Sequence, residues 1–183
     1  MSTAVTFVDR KLLKSDLVGA TGAVEYTTST TSSYLWGRKV TTITAAGGLV
    51  GLINWREKTF IIDGVQRRWD QLKSRPGGIF SSSREWNWGH RPYKLKYRDS
   101  HKELLATPTF GAADGTVRFT TYRHHLFVDN ERAAVYFPLQ MQDEDHEIER
   151  MFLLMSILKT ETDREDASRR RHNGAARAAA SGM

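Results

Sequence analysis

Polar and apolar residues alternate with a period of two along much of the chain. In Tyr93–Arg98, two tyrosines and a leucine alternate with Lys94, Lys96 and Arg98, and residues 117–122 repeat the pattern. Short segments of this kind, rich in β-branched and aromatic residues, follow one another from residue 4 to about residue 140 and are separated by turn signals such as Asp63-Gly64. The pattern predicts an antiparallel meander of about twelve strands that closes into a sandwich or a barrel.

The pattern changes after Asp143. Residues 144–166 predict one helix, with acidic residues at its start and arginines near its end. The apolar residues between Ile148 and Leu158 cover every side of this helix. Because a helix that is apolar all round must be buried all round, we expect the helix to run through the closed sheet. The predicted domain therefore comprises residues 1–166, and residues 167–183 are predicted to form a disordered tail rich in Arg and Ala.

Two further segments carry local predictions. The polar, low-complexity stretch Thr27–Ser33 predicts a flexible loop. Arg84, Trp86 and Trp88 lie two residues apart, so a strand would place them on one face. The tryptophans are expected in the core, although such a stripe is also compatible with a small-ligand site.

Composition narrows the functional classes. The 183 residues include no cysteine, which excludes disulfides, thiolate metal sites and a cysteine nucleophile. The first residues lack the basic start and apolar run of a signal peptide, and no apolar run approaches a membrane span. We therefore expect a cytoplasmic protein, with or without peripheral attachment to a membrane.

The combination of many strands with one apolar C-terminal helix resembles the tubby-like superfamily, which includes the tubby C-terminal domain, the phospholipid scramblases and the plant LURP-one-related proteins. The chain looks more closely like an uncharacterised basidiomycete fungal family of that superfamily, over roughly residues 3–165. The segments that carry the resemblance are Gly22–Tyr26, Val40–Thr44, Leu52–Trp55, Arg84–Trp88, Tyr93–Leu95 and Glu147–Leu158.

This resemblance implies a mainly β fold: a closed antiparallel barrel of about twelve strands around a buried C-terminal helix. It also implies binding of anionic lipid, since tubby domains hold phosphoinositide headgroups with Lys and Arg on the barrel surface. The ligand residues of tubby domains have no position-by-position counterpart here, and the palmitoylated, cysteine-rich segment of scramblases is absent.

Basic residues are concentrated in one part of the chain. Between Arg56 and Lys102 there are twelve bases and five acids, a larger excess than the net charge of +6 for the whole chain. Such a basic strand face suits lipid or nucleic-acid phosphates, although it is more often a solvated face that prevents edge pairing. The predicted headgroup-binding residues are Arg67, Arg68, Arg84, Arg91, Lys94, Lys96 and Arg98.

The leading hypothesis is a non-enzymatic binding module for anionic lipid headgroups such as phosphoinositide. A protein-interaction or structural scaffold is the alternative, an enzyme of unknown reaction ranks third, and nucleic acid is the less favoured partner. No catalytic signature is present, and no cofactor is predicted. Adjacent His124 and His125 would point to opposite faces of a strand, and Asp143, Asp145 and Glu149 lack the spacing of a calcium loop, so no metal site is predicted.

Overall fold

The computed structural model describes residues 2–33, 37–74, 84–98, 100, 102–110, 115–122, 131–141 and 143–181. These residues form thirteen strands, one short and one long α-helix, and two 3₁₀ helices of one turn each. The strands are β1 Ser2–Phe7, β2 Ser15–Val18, β3 Val24–Ser33, β4 Gly37–Ala45, β5 Val50–Asn54, β6 Thr59–Ile62, β7 Val65–Arg68, β8 Lys73–Ser74, β9 Arg84–Asn87, β10 Pro92–Arg98, β11 Glu103–Pro108, β12 Val117–Thr120 and β13 Ala134–Pro138. The α-helices are α1 Trp69–Leu72 and α2 Glu147–Ser181, and the 3₁₀ helices are Leu139–Met141 and Glu144–His146.

All thirteen strands belong to one antiparallel sheet. Its order is β7-β6-β5-β4-β3-β2-β1-β13-β12-β11-β10-β9-β8. Apart from β7 and β8, each strand pairs with its neighbours in sequence, and β1 also pairs with β13. The predicted alternation is confirmed in β10, where Tyr93 and Leu95 are buried while Lys94, Lys96 and Arg98 are exposed. The mainly β, meandering architecture is therefore as the sequence predicts.

The sheet curls around the first half of α2. Residues 151–158 are all buried, whichever side of the helix they occupy. Phe152 contacts Phe60 of β6 with ring centroids 6.3 Å apart, and Tyr93 of β10 donates a hydrogen bond of 2.6 Å to Glu149. Strands from both halves of the sheet thus contact the helix, and the prediction of a buried C-terminal helix is confirmed.

The prediction of a closed barrel is not confirmed, because the described sheet remains open between β7 and β8. These two edge strands have four and two residues, and only the single turn of α1 separates them in sequence. Side chains meet across the opening: the ring of Phe60 stacks on Trp86 at 5.6 Å, and Arg67 lies 4.9 Å above the ring of Trp88. Among the described residues these contacts take the place of a hydrogen-bonded ladder.

The predicted loop at residues 27–33 is wrong, because these residues belong to β3. Thr28 and Thr30 point inward, and their hydroxyls donate hydrogen bonds of 2.8 Å to the carbonyls of Leu12 and Leu13. The Thr30 hydroxyl also lies 2.7 Å from that of Thr41 on β4. β-Branched threonines suit a strand, and satisfied hydroxyls remove the cost of burying them.

A glycine allows α2 to approach the sheet closely. A Cβ atom on Gly51 of β5 would lie 2.7 Å from the sulfur of Met151 and 2.9 Å from that of Met155. Both distances are shorter than side chains tolerate, so the helix and β5 could not pack this closely with any larger residue.

The long helix extends beyond its predicted end. The sequence predicts an end near residue 166, whereas α2 continues through Ser181. From Asp163 to Asn173 its side chains are exposed or half-buried. The boundary of the folded domain at residue 166 stays a prediction.

Candidate functional site

A cleft of about 920 Å³ opens where α2 leaves the sheet. An antiparallel meander places successive hairpins at alternating ends of the sheet. We call the end at which the cleft lies the cleft end, and several of its hairpins contribute to the walls of the cleft. The cleft is lined by Arg10, Lys11, Leu12, Leu13, Lys14, Thr30, Ser32, Arg38, Tyr97, Lys102, Thr121, Tyr122, Glu161, Thr162, Arg164, Glu165 and Arg169.

Four cations of the cleft have no ion pair within the described residues. Arg10, Lys11 and Lys14 belong to the turn between β1 and β2, and Lys102 belongs to the turn between β10 and β11. All four are exposed, and Arg10 also lies 5.3 Å above the ring of Tyr122. We call these four residues the open bases.

The backbone that carries three of the open bases is held in place. The amide of Lys14 donates a hydrogen bond of 2.8 Å to the carbonyl of Lys11, which closes a tight turn. The two carbonyls between them, those of Leu12 and Leu13, accept hydrogen bonds from Thr28 and Thr30. Because this turn is fixed before any ligand arrives, binding would cost little ordering of the backbone.

The opposite wall of the cleft is already neutralised by its own carboxylates. Arg38 forms a bidentate ion pair with Asp166, with N–O distances of 2.7 and 2.9 Å. Arg164 pairs with Glu161, with Nε 2.8 Å from a carboxylate oxygen. The hydrogen bond from Arg38 lowers the pKa of Asp166, and the hydrogen bond that Arg164 donates to Glu161 raises the pKa of Arg164. The positive charge available to a ligand is therefore concentrated on the open bases.

The structure places three of the predicted headgroup-binding residues together. Lys94, Lys96 and Arg98 line the outward face of β10, which we call the strand face. The strand runs toward the cleft, since its Tyr97 lines the cleft and Lys102 follows it in the next turn. The strand face thus leads to the mouth of the cleft.

The other four predicted residues lie elsewhere. Arg84 is opposite Leu95 in the sheet register, which puts it on the face away from Lys94 and Lys96. Arg91 is hydrogen-bonded to Tyr93, whose own hydroxyl reaches the start of α2. Arg67 donates to the carbonyl of Trp88 and Arg68 pairs with Asp70, so both lie at the opening of the sheet. The seven residues do not form one patch.

The tryptophan stripe is part of the packing, as predicted. Trp86 is buried and stacks on Phe60, while Trp88 lies against Phe152 with ring centroids 5.7 Å apart. Trp36, which precedes β4, lies outside the described residues, as do His124 and His125. Across the described ranges, no three His, Asp or Glu side chains gather in a way that could hold a metal ion.

Sequence reasoning missed the open bases because they come from distant parts of the chain. Turn residues 10–14 and Lys102 are more than eighty residues apart and meet only through the order of the strands. A local signal was present, since three bases fall within five residues at Arg10, Lys11 and Lys14. The density of basic residues along the chain instead directed the prediction of ligand residues to residues 56–102.

Comparison with known proteins gives no family assignment. No protein-family model, no curated protein and no solved structure matches the chain. The resemblance to the tubby-like superfamily receives no support from them and stays a prediction. Of the helices in the described chain, none has both the length and the apolar character required to cross a membrane.

Proposed function

We propose that this protein is a non-enzymatic binding module for phosphate-bearing anions, with the anionic headgroup of a membrane lipid as its ligand. The observation that carries the proposal is the set of open bases around one cleft. Four cations without carboxylate partners converge on a volume of about 920 Å³, in the size range of small-molecule sites. Lys and Arg are the side chains that bind phosphate oxygens with charge-assisted hydrogen bonds.

The strand face favours a membrane as the source of the phosphate. A phosphate in the cleft would bring Lys94, Lys96 and Arg98 toward the same anionic surface, because β10 leads to the cleft mouth. Near an anionic bilayer each Lys or Arg contributes about 1 kcal/mol of attraction. We propose that the cleft holds the headgroup, that the strand face adds attraction to the surrounding lipid, and that the protein attaches to the cytoplasmic surface of a membrane.

This proposal differs from the sequence-based one in its main site. The predicted ligand residues on β10 become a supporting surface. Arg84 is left out because it lies on the opposite face of the sheet. Arg91, Arg67 and Arg68 are left out because each already contacts another group. The proposal agrees with the tubby-like resemblance in ligand class and also in overall plan, if the opening between β7 and β8 closes into a barrel.

The test compares three variants that each replace two bases by glutamate. Lys11→Glu/Lys14→Glu changes the cleft, Lys94→Glu/Lys96→Glu changes the strand face, and Arg56→Glu/Lys58→Glu is the control. The control pair lies in the exposed turn between β5 and β6, outside the cleft. Binding is measured by co-sedimentation with phosphatidylcholine vesicles, with and without phosphatidylinositol bisphosphate, and by calorimetry with soluble inositol hexakisphosphate.

The cleft variant should lose at least tenfold in affinity for both probes, since about 2 kcal/mol corresponds to roughly thirtyfold. We expect the strand variant to lose affinity for vesicles while it retains affinity for the soluble probe. The control should bind like the wild type. Wild-type binding should weaken steeply as salt rises from low to physiological concentration, because screening shortens the reach of the charges to about 8 Å.

Two results would overturn the proposal. If the wild-type protein ignores both probes at low salt, phosphate binding is wrong and the scaffold hypothesis takes its place. If the cleft variant binds as well as the control, the ligand lies elsewhere. Binding of the soluble probe without any preference for phosphoinositide vesicles would keep the anion site and reject the lipid as its source.

A further inference from the structure

The exposed apolar side chains are concentrated at the end of the sheet opposite the cleft. Of the seven large hydrophobic residues that are exposed in the described chain, six lie at this end, which we call the apolar end. Phe110 is the most exposed of them, at 73%. The six residues are Val24, Val50, Val65, Phe110, Leu139 and Ile148.

Local contacts place these residues at one end. A Cβ on Gly47, beside Val50, would lie 2.9 Å from the carboxylate of Glu147 at the start of α2. The amide of Asp63 donates to the carbonyl of Val50, which joins the hairpin that contains Val65. Val24, Leu139 and Phe110 belong to other hairpins and connections that the meander places at the same end.

The charge of the apolar end is opposite to that of the cleft end. Asp63, Asp143 and Asp145 are exposed here, and none of them forms an ion pair within the described part of the chain. Two bases at this end, Arg91 and Arg150, are engaged with Tyr93 and with nearby carboxylates. The molecule therefore has an apolar, acidic end and a basic end.

The cleft end also has apolar surface to offer. Leu12, Leu13, Tyr97 and Tyr122 line the cleft beside the open bases. Exposed Val8 precedes the same turn. Each end thus presents what the other end would bind, namely apolar side chains with charges of opposite sign.

We infer that the apolar end of one molecule docks on the cleft end of a second copy. Such a contact uses two different surfaces, so it is heterologous and leaves a free end on each side. Unless the rotation between copies closes a ring, the result is an open chain of molecules. With six exposed apolar residues, the apolar part of this contact is small, so we expect a weak association that depends on protein concentration.

This inference goes beyond the proposed function, and the two are connected because both use the cleft. The second copy and the phosphate ligand occupy the same cleft, so they compete. Inositol hexakisphosphate should therefore disperse the assemblies.

The test is a charge exchange followed by sedimentation velocity at low salt. Asp143→Lys/Asp145→Lys reverses the apolar end, and Lys11→Glu/Lys14→Glu reverses the cleft end. Wild-type protein should show a mass that rises with concentration beyond the dimer. Each variant alone should remain monomeric, because its two ends then carry charges of the same sign. Mixing the two variants should restore association, because unlike ends meet again.

Folding and ligand binding are monitored in parallel. Circular dichroism melting checks the folding of each variant. If the lysines at the helix start disturb folding, Phe110→Ser replaces them as an uncharged variant, and it should weaken association at least fivefold. Asp143→Lys/Asp145→Lys leaves the cleft intact and should still bind inositol hexakisphosphate if the proposed function holds. A failure of the docking inference and a failure of the proposed function are therefore distinguishable.

A wild-type protein that stays monomeric at every concentration would overturn the inference. Assemblies that stop at a dimer and ignore both charge reversals would overturn it as well. So would a mixture of the two variants that remains monomeric although each variant is folded.

Discussion

The two halves of α2 have opposite surroundings although they form one continuous helix. Residues 151–158 are buried on every side by the curled sheet, whereas residues 168–173 are exposed. The inner half supplies the axis of the core. The outer half supplies one wall of the basic cleft through Glu161, Arg164 and Arg169. One helix thus connects the stability of the fold to the geometry of the site.

Charged residues mark the transition between the halves. Lys159 is buried, pairs with Asp163 and lies 4.3 Å from the centre of the Trp69 ring. Glu161 is also buried and pairs with Arg164. Because each buried charge has a partner one turn along the helix, the chain can leave an apolar interior without leaving an uncompensated charge inside.

The largest expected effect is at the centre of the inner half. Leu154→Asp would place a carboxylate at the axis of the sheet, at a position that is fully buried. The cost is several kcal/mol, comparable to the total stability of a domain, so we expect unfolded or insoluble protein. Leu139→Asp is the matched control, because Leu139 is exposed and should tolerate the change. Normal melting of Leu154→Asp would mean that α2 lies outside the core.

A smaller loss is expected where the sheet approaches the inner half. Gly51→Val would force side-chain atoms into Met151 and Met155 and should reduce the free energy of unfolding by about 1–3 kcal/mol. Gly89→Val is the control, because a Cβ there meets no atom within 4 Å. Urea denaturation measures both variants. Equal stabilities would show that α2 does not pack against β5 as described.

The ion pair between Arg38 and Asp166 attaches the outer half to β4. A double-mutant cycle with Arg38→Gln and Asp166→Asn should give a stabilising coupling of about 0.2–1 kcal/mol, because both side chains are partly exposed. The lowered pKa of Asp166 means that this stabilisation is present above the ordinary pKa of an aspartate and is lost as the pH falls through the lowered value. A coupling of zero at neutral pH would show that this ion pair does not hold α2 against β4.

The smallest effect is expected at the far end of the outer half. Ending the chain after His172 removes residues that follow an exposed part of the helix. The free energy of unfolding should change by less than about 0.5 kcal/mol, the usual range for surface changes. A large drop in the melting temperature would instead place residues 173–183 in contact with the domain.

The structural features that were predicted correctly are those that depend on the side-chain pattern of a single segment. The alternation in Tyr93–Arg98 identified the exposed face of β10, and the apolar run from Met151 to Leu158 identified a helix buried on all sides. Both features follow from side-chain periodicity, which is visible in a single segment. The prediction of a loop at residues 27–33 was wrong. Threonine counts as a polar residue in the sequence pattern, but the hydroxyls of Thr28 and Thr30 are buried with hydrogen-bond partners that only the folded sheet provides.

The cleft depends on contacts between distant segments. Its open bases come from two turns on separate strand pairs, and its other wall comes from the exit of α2. Closure of the sheet likewise depends on whether β7 and β8 reach each other after twelve preceding strand pairings. Neither the geometry of a cleft nor the closure of a sheet is encoded in the pattern of one segment.

Amide hydrogen exchange with mass spectrometry compares the two halves of α2 in one experiment. We expect the amides of residues 151–162 to exchange only on global unfolding, at the slowest rates in the protein. Residues 168–173 should exchange orders of magnitude faster, because this part of the helix is exposed and exposed helix opens locally. Similar, fast exchange in both halves would mean that the sheet does not enclose the helix.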